Sequence, residues 1–209
     1  MKQTLISTSI VAMLSTGAIA GNIDLVTADP VIAIPPTSTV TDWSGGYVGL
    51  SYSARGGTMD YFFNFGGYSS YVYVDDTAIG VFGGYNWQRG NLVYGGELNV
   101  TEGSLVLDGF NEKLDTTIEL RGRVGYAMGD ALVYGFFGYG MSEYMNLGLN
   151  SRQHDVAGGT YGLGIDYMVT DSIFAGLEVS NRELTGTTTF GSDQTNYIDM
   201  ISLRIGYNY

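Results

Sequence analysis

The stretch Thr117-Ile-Glu-Leu-Arg-Gly-Arg-Val-Gly-Tyr-Ala-Met128 alternates in character with a period of two. One parity is mostly apolar and the other is charged or small: Ile118, Leu120, Val124, Tyr126 and Met128 against Glu119, Arg121, Arg123, Gly125 and Ala127. Such a period predicts a β-strand with different surroundings on its two faces. Gly129-Asp130 then predicts a tight turn, and Ala131–Met141 a returning strand. This hairpin fits a soluble barrel with an apolar core, or a membrane barrel with lipid outside and charge inside.

The rest of the chain repeats this pattern and predicts an all-β protein with eight antiparallel strands. The predicted strands cover residues 45–55, 77–88, 92–102, 117–128, 131–141, 156–169, 173–184 and 196–209. Long inserts (56–76, 103–115, 142–155 and 185–195) alternate with tight turns (89–91, 129–130 and 170–172). Strands of this length with alternating long and short connections are typical of an up-and-down transmembrane β-barrel. In residues 131–141 both parities are apolar, so the lipid-facing parity stays open there.

Charged residues gather on the parity that is predicted to face the barrel interior. The set is nearly balanced in sign: Arg55, Glu97, Glu119, Arg121, Arg123, Asp166, Glu178, Arg182 and Arg204, in a chain of net charge -12. Charges enclosed in a narrow lumen must pair, because an isolated buried charge costs several kcal/mol. We therefore expect a charge network that plugs the lumen, with Glu97 on the preceding strand as a partner of Arg121. A soluble, lipocalin-like barrel has no reason to balance its solvent face, so the membrane interpretation is favoured.

Length, composition and the N-terminus set further bounds. The 209 residues predict one domain, and the absence of cysteine excludes disulfides and thiolate sites. Nine basic residues against 21 acidic ones argue against nucleic acid as a partner. Residues 1–20 predict a cleaved signal peptide, with Lys2, a short apolar run and the small-x-small site Ala18-Ile-Ala20. Residues 21–42, which hold all three prolines, predict a periplasmic linker, and residues 43–209 the barrel.

Three motifs resemble those of small Gram-negative outer-membrane β-barrel proteins, the OmpA-like and opacity-porin-like group. They are Trp43-Ser-Gly-Gly-Tyr-Val-Gly49, Leu120-Arg-Gly-Arg-Val-Gly-Tyr126 and the terminal Leu203-Arg-Ile-Gly-Tyr-Asn-Tyr209. The resemblance spans residues 43–209 and implies an outer-membrane location with a structural, adhesin-like or antigen-like role. It also implies recognition by the barrel-assembly machinery through the alternating residues of the last strand: Leu203, Ile205, Tyr207 and Tyr209. The group usually ends in Phe, so Tyr209 is a departure from its pattern.

The sequence offers little catalytic or ligand-binding chemistry. The single histidine, His154, lies in the third insert, where a catalytic centre would need a nucleophile, a base and an orienting acid in hydrogen-bond reach. Ser151 and Asp155 are candidate partners nearby, as in any polar loop, so we expect His154 to be a solvated loop histidine. Phosphate-binding motifs are absent. The acidic second insert (Asp108, Asn111, Glu112, Asp115) lacks the spacing of a calcium loop. We therefore expect no enzymatic activity and no cofactor.

The first insert is unusually aromatic, through Tyr61, Phe62, Phe63, Phe65, Tyr68 and Tyr71. Two compatible interpretations exist: a hairpin that continues above the bilayer, with aromatics packed together, and a contact surface for an extracellular partner. Three functions remain open at this point. A structural or surface-interaction barrel is favoured over a diffusion channel, because eight strands leave an interior just wide enough for side chains to fill. A lipid-modifying barrel enzyme is disfavoured by the missing nucleophile–base pair.

Overall fold

A computed structural model describes residues 40–109, 112–146, 152–188 and 191–209. The predicted signal peptide and residues 21–39 of the predicted linker lie outside these ranges. The described residues form ten β-strands: β1 (Gly45–Phe62), β2 (Tyr68–Val72), β3 (Asp76–Arg89), β4 (Leu92–Glu102), β5 (Leu105–Val106), β6 (Glu112–Met128), β7 (Ala131–Asn146), β8 (Arg152–Met168), β9 (Ile173–Thr187) and β10 (Asp193–Asn208). Within these ranges, no helix has the length and apolar character needed to cross a bilayer.

Eight of these strands close into a ring. Each long strand pairs antiparallel with its neighbours in the order β1, β3, β4, β6, β7, β8, β9, β10, and β10 pairs with β1 from Tyr47↔Asn208 to Phe62↔Asp193. The short strands are additions at one end, where β2 pairs with β1 and β5 with β6. The predicted eight-stranded antiparallel up-and-down barrel is therefore confirmed.

The two faces of each strand follow the predicted parity. In β6, Glu119 is fully buried inside the barrel, whereas the neighbouring Leu120 is 68% exposed on the outer wall. The open question in β7 is also answered. Leu132, Tyr134 and Phe136 point inward and are buried, and the outward face carries Val133, Phe137, Tyr139 and Met141.

The strands extend well beyond their predicted ends on the side of the inserts. The predicted bounds of the inserts are therefore wrong, because much of each insert is paired β-strand. β1 continues to Phe62, β6 begins at Glu112, β7 continues to Asn146, and β9 and β10 pair up to Thr187↔Asp193. The strands continue because pairing gives every backbone N–H and C=O group a hydrogen-bond partner, independently of the side chains. The period-two signal fades there because, above the bilayer, the outer face meets water and accepts polar and apolar residues alike. Within the first insert, β1 and β2 form the hairpin that one of the two interpretations predicts.

The two ends of the barrel differ. We call the end with the tight turns after β3, β6 and β8 the turn end, and the opposite end the loop end. Near the turn end, Trp87 stacks on Tyr94 at 5.9 Å and packs against Tyr85 at 4.9 Å on the outer wall. Such outward aromatics are typical of the girdles that membrane barrels place at a bilayer interface.

Glycines on the inward parity make room for large side chains in the narrow interior. A Cβ on Gly164 would lie 2.3 Å from the ring of Tyr134, and one on Gly162 would lie 2.6 Å from Phe136. Both aromatics belong to the adjacent strand β7, so the cross-strand glycine is what lets each ring lie flat inside the barrel.

Candidate functional site: the filled interior and the loop end

The barrel interior holds a charge network at mid-height. All nine residues of the expected set lie inside and are buried: Arg55, Glu97, Glu119, Arg121, Arg123, Asp166, Glu178, Arg182 and Arg204. They are brought together by alternation on six strands (β1, β4, β6, β8, β9 and β10), which directs every second side chain into the same narrow space.

Arg121 lies at the centre of the charge network. Its guanidinium contacts Glu119 at 2.6 Å, Glu178 at 2.9 Å and Glu97 at 3.4 Å. Glu97 and Arg121 are register partners on adjacent strands, as the sequence argument expects. The Glu178 contact comes from a strand that is distant in the ring, so it spans the lumen. The guanidinium also lies 4.4 Å from the ring centre of Phe136.

Aromatic rings complete the network around the other arginines. Arg204 pairs with Glu97 and Glu178 while lying 3.9 Å from the ring centre of Phe82. Arg123 pairs with Asp166 at 3.0 Å and lies 3.9 Å from the ring centre of Tyr134. Cation–π contacts and charge-assisted hydrogen bonds together offset the desolvation of guanidinium groups.

Two tyrosine hydroxyls tie the aromatic and charged parts together, and sequence reasoning missed both. Tyr47 donates to Glu97 at 3.1 Å, and Tyr134 donates to Glu178 at 3.0 Å. Their inward parity is the signal that could have found them, because a tyrosine on the charged face needs a partner for its hydroxyl. In β7 that parity was ambiguous.

The remaining arginines extend the network toward the loop end. Arg182 binds Glu119 with two nitrogens, each at 2.8 Å, and donates to Thr101 at 3.1 Å. Arg55 pairs with Asp76 at 3.2 Å. Asp76 was assigned to the first insert at the sequence level, and the longer β3 makes it a partner of Arg55 in the register.

At the turn end, the segment before β1 crosses the barrel mouth. Thr41 donates its backbone N–H to the Gly129 carbonyl at 3.1 Å and its hydroxyl to Asp130 at 2.6 Å. The turn that holds these acceptors lies across the ring from β1. Trp43, only 2% exposed, packs edge-on against Phe174 at 5.9 Å. Trp43 and Phe174 belong to an apolar cluster that fills the turn end, with Tyr47, Phe82, Val93, Ala127, Leu132, Tyr134, Phe136 and Met168.

A second apolar cluster fills the interior at the loop end. Its buried members are Met59, Tyr73, Leu105, Leu107, Leu114, Tyr144, Val156, Leu184, Ile198 and Met200. Tyr73 donates its hydroxyl to Asn196 at 2.6 Å. The interior therefore passes from an apolar layer, through the charge network, to a second apolar layer.

The first hairpin divides its aromatic residues between two faces. Tyr61 and Tyr71 pack against the loop-end cluster and are half-buried, as is Phe63. Phe65 is 89% exposed at the hairpin tip, and the outward face presents the exposed Phe62 and Tyr68, whose rings lie 5.2 Å apart. Both interpretations of this insert therefore have a structural basis, because the aromatics pack together and also leave an exposed apolar face.

The other residues considered at the sequence level form no recognisable centre. His154 lies in β8, with its ring 5.0 Å from that of Tyr144, and not in a solvated loop as predicted, because β8 begins earlier. Asp115 pairs with Lys113 at 2.8 Å. Ser151 and Asn111 lie outside the described residues. Among the described residues, no group of three or more His, Asp or Glu side chains is arranged to hold a metal ion.

Comparisons with known proteins agree with this architecture. The family model described as "Outer membrane protein beta-barrel domain" matches residues 27–209. A 25 kDa outer-membrane immunogenic protein of Brucella canis is 30% identical, over 95% of this chain and 93% of the relative. A 22 kDa outer membrane protein of Rhizobium leguminosarum bv. viciae is 31% identical, over 68% of this chain and 65% of the relative.

A solved structure shows the same fold. Neisserial surface protein A (NspA) superimposes with a TM-score of 0.56 at 13% identity, over 79% of this chain and 98% of that one. Together with the closed ring and its apolar outer wall, these matches fix the location of the protein in the outer membrane. The chain is a member of the outer-membrane β-barrel protein family.

Proposed function

We propose that this outer-membrane barrel is a non-conducting envelope protein that presents its loop end as a contact surface, with no enzymatic activity. The observation that carries the proposal is the filled interior. Arg121, Glu97 and Glu178 are each 3% exposed, and an apolar layer lies on either side of them. Passage of a solute requires breaking paired buried charges, which costs several kcal/mol. A diffusion channel would need a continuous water-filled path in their place.

The surface role is supported by the exposed aromatics of the first hairpin. Phe62, Phe65 and Tyr68 expose 48%, 89% and 56% of their area, respectively, beyond the outward face that meets lipid. An apolar patch of this kind on a surface usually binds something. The relatives' description as immunogenic outer-membrane proteins fits exposure of the loop end outside the cell. In this proposal the turn end, which holds the three tight-turn connections and Trp43, faces the periplasm.

Assembly is expected to use the last strand. Leu203, Ile205 and Tyr207 form an outward stripe on β10 that Tyr209 continues directly after the strand, and each of the four is at least half exposed. This stripe is the surface that we propose the barrel-assembly machinery recognises before β10 closes on β1. The outward face of the completed barrel then contacts outer-membrane lipid.

Cysteine labelling tests the surface role, because the chain has no cysteine of its own. Phe65→Cys at the hairpin tip should react with a membrane-impermeant maleimide in intact cells. The matched control Asn91→Cys, in the turn between β3 and β4, should react only after the outer membrane is permeabilised. The reverse labelling pattern would refute the orientation, and no labelling of Phe65→Cys would refute surface display.

A further inference from the structure

A small cavity lies beneath the first hairpin at the loop end. It has a volume of about 180 Å³ and is lined, among the described residues, by Met59, Tyr61, Phe63, Tyr71, Leu107 and Glu112. The hairpin's inward aromatics form its roof, so the cavity is distinct from the exposed outward face that carries the proposed contact surface. It is also distinct from the charge network, which lies deeper in the barrel.

The walls of the cavity are aromatic and set at an angle to one another. The rings of Tyr61 and Phe63 lie 4.8 Å apart with an interplanar angle of 63°. Met59 and Leu107, 2% and 1% exposed, belong to the loop-end cluster and close the bottom. Aromatic faces carry a negative quadrupole, and rings that surround a space from several directions attract a cation into it.

A carboxylate completes the lining. Glu112 accepts a hydrogen bond of 2.6 Å from the hydroxyl of Tyr144, which fixes its position. Burial, and after it the charge of Glu112, raise the pKa of the neighbouring Tyr73 hydroxyl above its ordinary value. A negative charge beside aromatic faces selects against anions and for cations.

The surroundings strengthen this preference. Acidic side chains are concentrated on the loop-end parts of the strands and connections: Asp60, Asp75, Asp76, Glu102, Asp108, Asp115, Glu143, Asp155, Glu183, Asp193 and Asp199. Lys113, which follows Glu112, bonds to Asp115 at 2.8 Å and to Ser104 at 3.2 Å. A surface with one dominant sign of charge raises the local concentration of the opposite ion.

We propose that this cavity binds a quaternary ammonium group such as that of choline. Its methyl groups match apolar and aromatic walls, and its charge needs no hydrogen-bond acceptor, so one carboxylate and several ring faces suffice. A metal ion would require more oxygen ligands than the described lining offers. The volume equals about six waters at ~30 Å³ each, which suits a headgroup of this size.

Binding is tested with the full barrel refolded in a maltoside detergent, since choline-headed detergents would occupy the site. Choline is titrated by NMR or calorimetry beside its neutral isostere 3,3-dimethylbutan-1-ol. We expect millimolar choline binding, with the isostere at least about fivefold weaker because it lacks the cation–π and carboxylate attraction. Equal affinity for the two, or no choline binding, would overturn the proposal.

Paired variants locate the site. Phe63→Leu and Glu112→Gln should each weaken choline binding about fivefold or more, and Glu112→Gln keeps an acceptor for Tyr144. Phe62→Leu, the adjacent residue on the outward face, should leave the affinity unchanged. If Phe62→Leu weakens binding as much as Phe63→Leu, the ligand sits on the outer face and the proposal is wrong.

Two further measurements complete the test. One distinguishes a lipid headgroup from free choline as the ligand, and the other distinguishes failure of the choline site from failure of the proposed surface role. Cosedimentation of the barrel with phosphatidylcholine vesicles, against phosphatidylglycerol vesicles, distinguishes a lipid headgroup from free choline, and either source supports the site if Phe63→Leu abolishes it. The choline site rests on the proposed function in one respect, which is that the cavity opens at the loop end that is proposed to face the outside of the cell. Failure of choline binding with normal labelling of Phe65→Cys would overturn the inference alone.

Discussion

Removal of Arg121 is the most informative perturbation of the barrel interior. Arg121→Ala withdraws one positive charge from contact with Glu97, Glu119 and Glu178. Breaking a buried ion pair costs about 3–5 kcal/mol, because the remaining charge is left uncompensated. Here each carboxylate keeps another arginine: Arg204 for Glu97 and Glu178, and Arg182 for Glu119. We therefore expect a loss near the lower limit, about 3 kcal/mol.

Leu120→Ala is the matched control on the same strand. Leu120 is 68% exposed on the outer wall, so only about a third of its side chain packs against protein. The rest of the side chain meets lipid, so folding still removes the whole leucine from water, and Leu120→Ala is expected to lose about 2 kcal/mol, within the 1.5–3 kcal/mol of a full burial. A third variant, Arg121→Met, keeps apolar contact with Phe136 but removes the charge.

The assay is equilibrium unfolding by urea or guanidinium of the barrel refolded into lipid vesicles, for the wild type and the three variants. Arg121→Ala should lose about 1 kcal/mol more stability than Leu120→Ala, the difference between the two expected losses. Arg121→Met should show whether packing replaces part of that loss. A neutral Arg121→Ala together with a severely destabilised Leu120→Ala would refute the assignment of the two faces.

Two other predictions concern closure and packing of the barrel. Unboiled and boiled samples should migrate differently on a detergent gel, because a closed ring has no unpaired edge from which to unravel, and identical migration would contradict closure. Gly138→Ala should destabilise the barrel by about 1–3 kcal/mol, because the added Cβ would lie 2.3 Å from the Leu120 carbonyl oxygen. Gly122→Ala, whose Cβ would meet nothing closer than 3.8 Å, should be neutral in the same unfolding assay, and equal losses would contradict this packing.

Strand number, strand order and the faces of most strands could be predicted from the sequence. In β6 the inward charges Glu119, Arg121 and Arg123 lie between the outward apolar residues Ile118, Leu120 and Val124, and this contrast is what lipid on one face and a charged lumen on the other require. The pairing of Glu97 with Arg121 followed from their positions on neighbouring strands. β7 carried no such contrast, since Tyr134 and Phe136 on its inward face are as apolar as Phe137 on its outward face.

Other parts of the site could not be predicted, for physical reasons. The contact of Arg204 with Glu178 depends on the register between the adjacent strands β10 and β9. The contact of Arg121 with Glu178 crosses the lumen, so it depends on the diameter of the barrel. The strand extensions at the loop end carry no periodic signal, so the Arg55–Asp76 pair was hidden in an apparent insert. The crossing of the turn end rests on hydrogen bonds between residues far apart in the sequence, from Thr41 to the Gly129-Asp130 turn and from the Trp43 backbone N–H to the side chain of Gln88 in β3.

The central claim, a closed interior, is tested most directly by conductance of the purified protein in a planar lipid bilayer. A lumen filled by the charge network and by apolar layers at both ends predicts no stepwise conductance at moderate voltage for the wild-type barrel. Arg121→Ala, which removes the central side chain of the network, gives the sensitivity control, and brief small openings are expected from it. Stable, uniform conductance steps from the wild type would contradict the account and make the protein a diffusion channel.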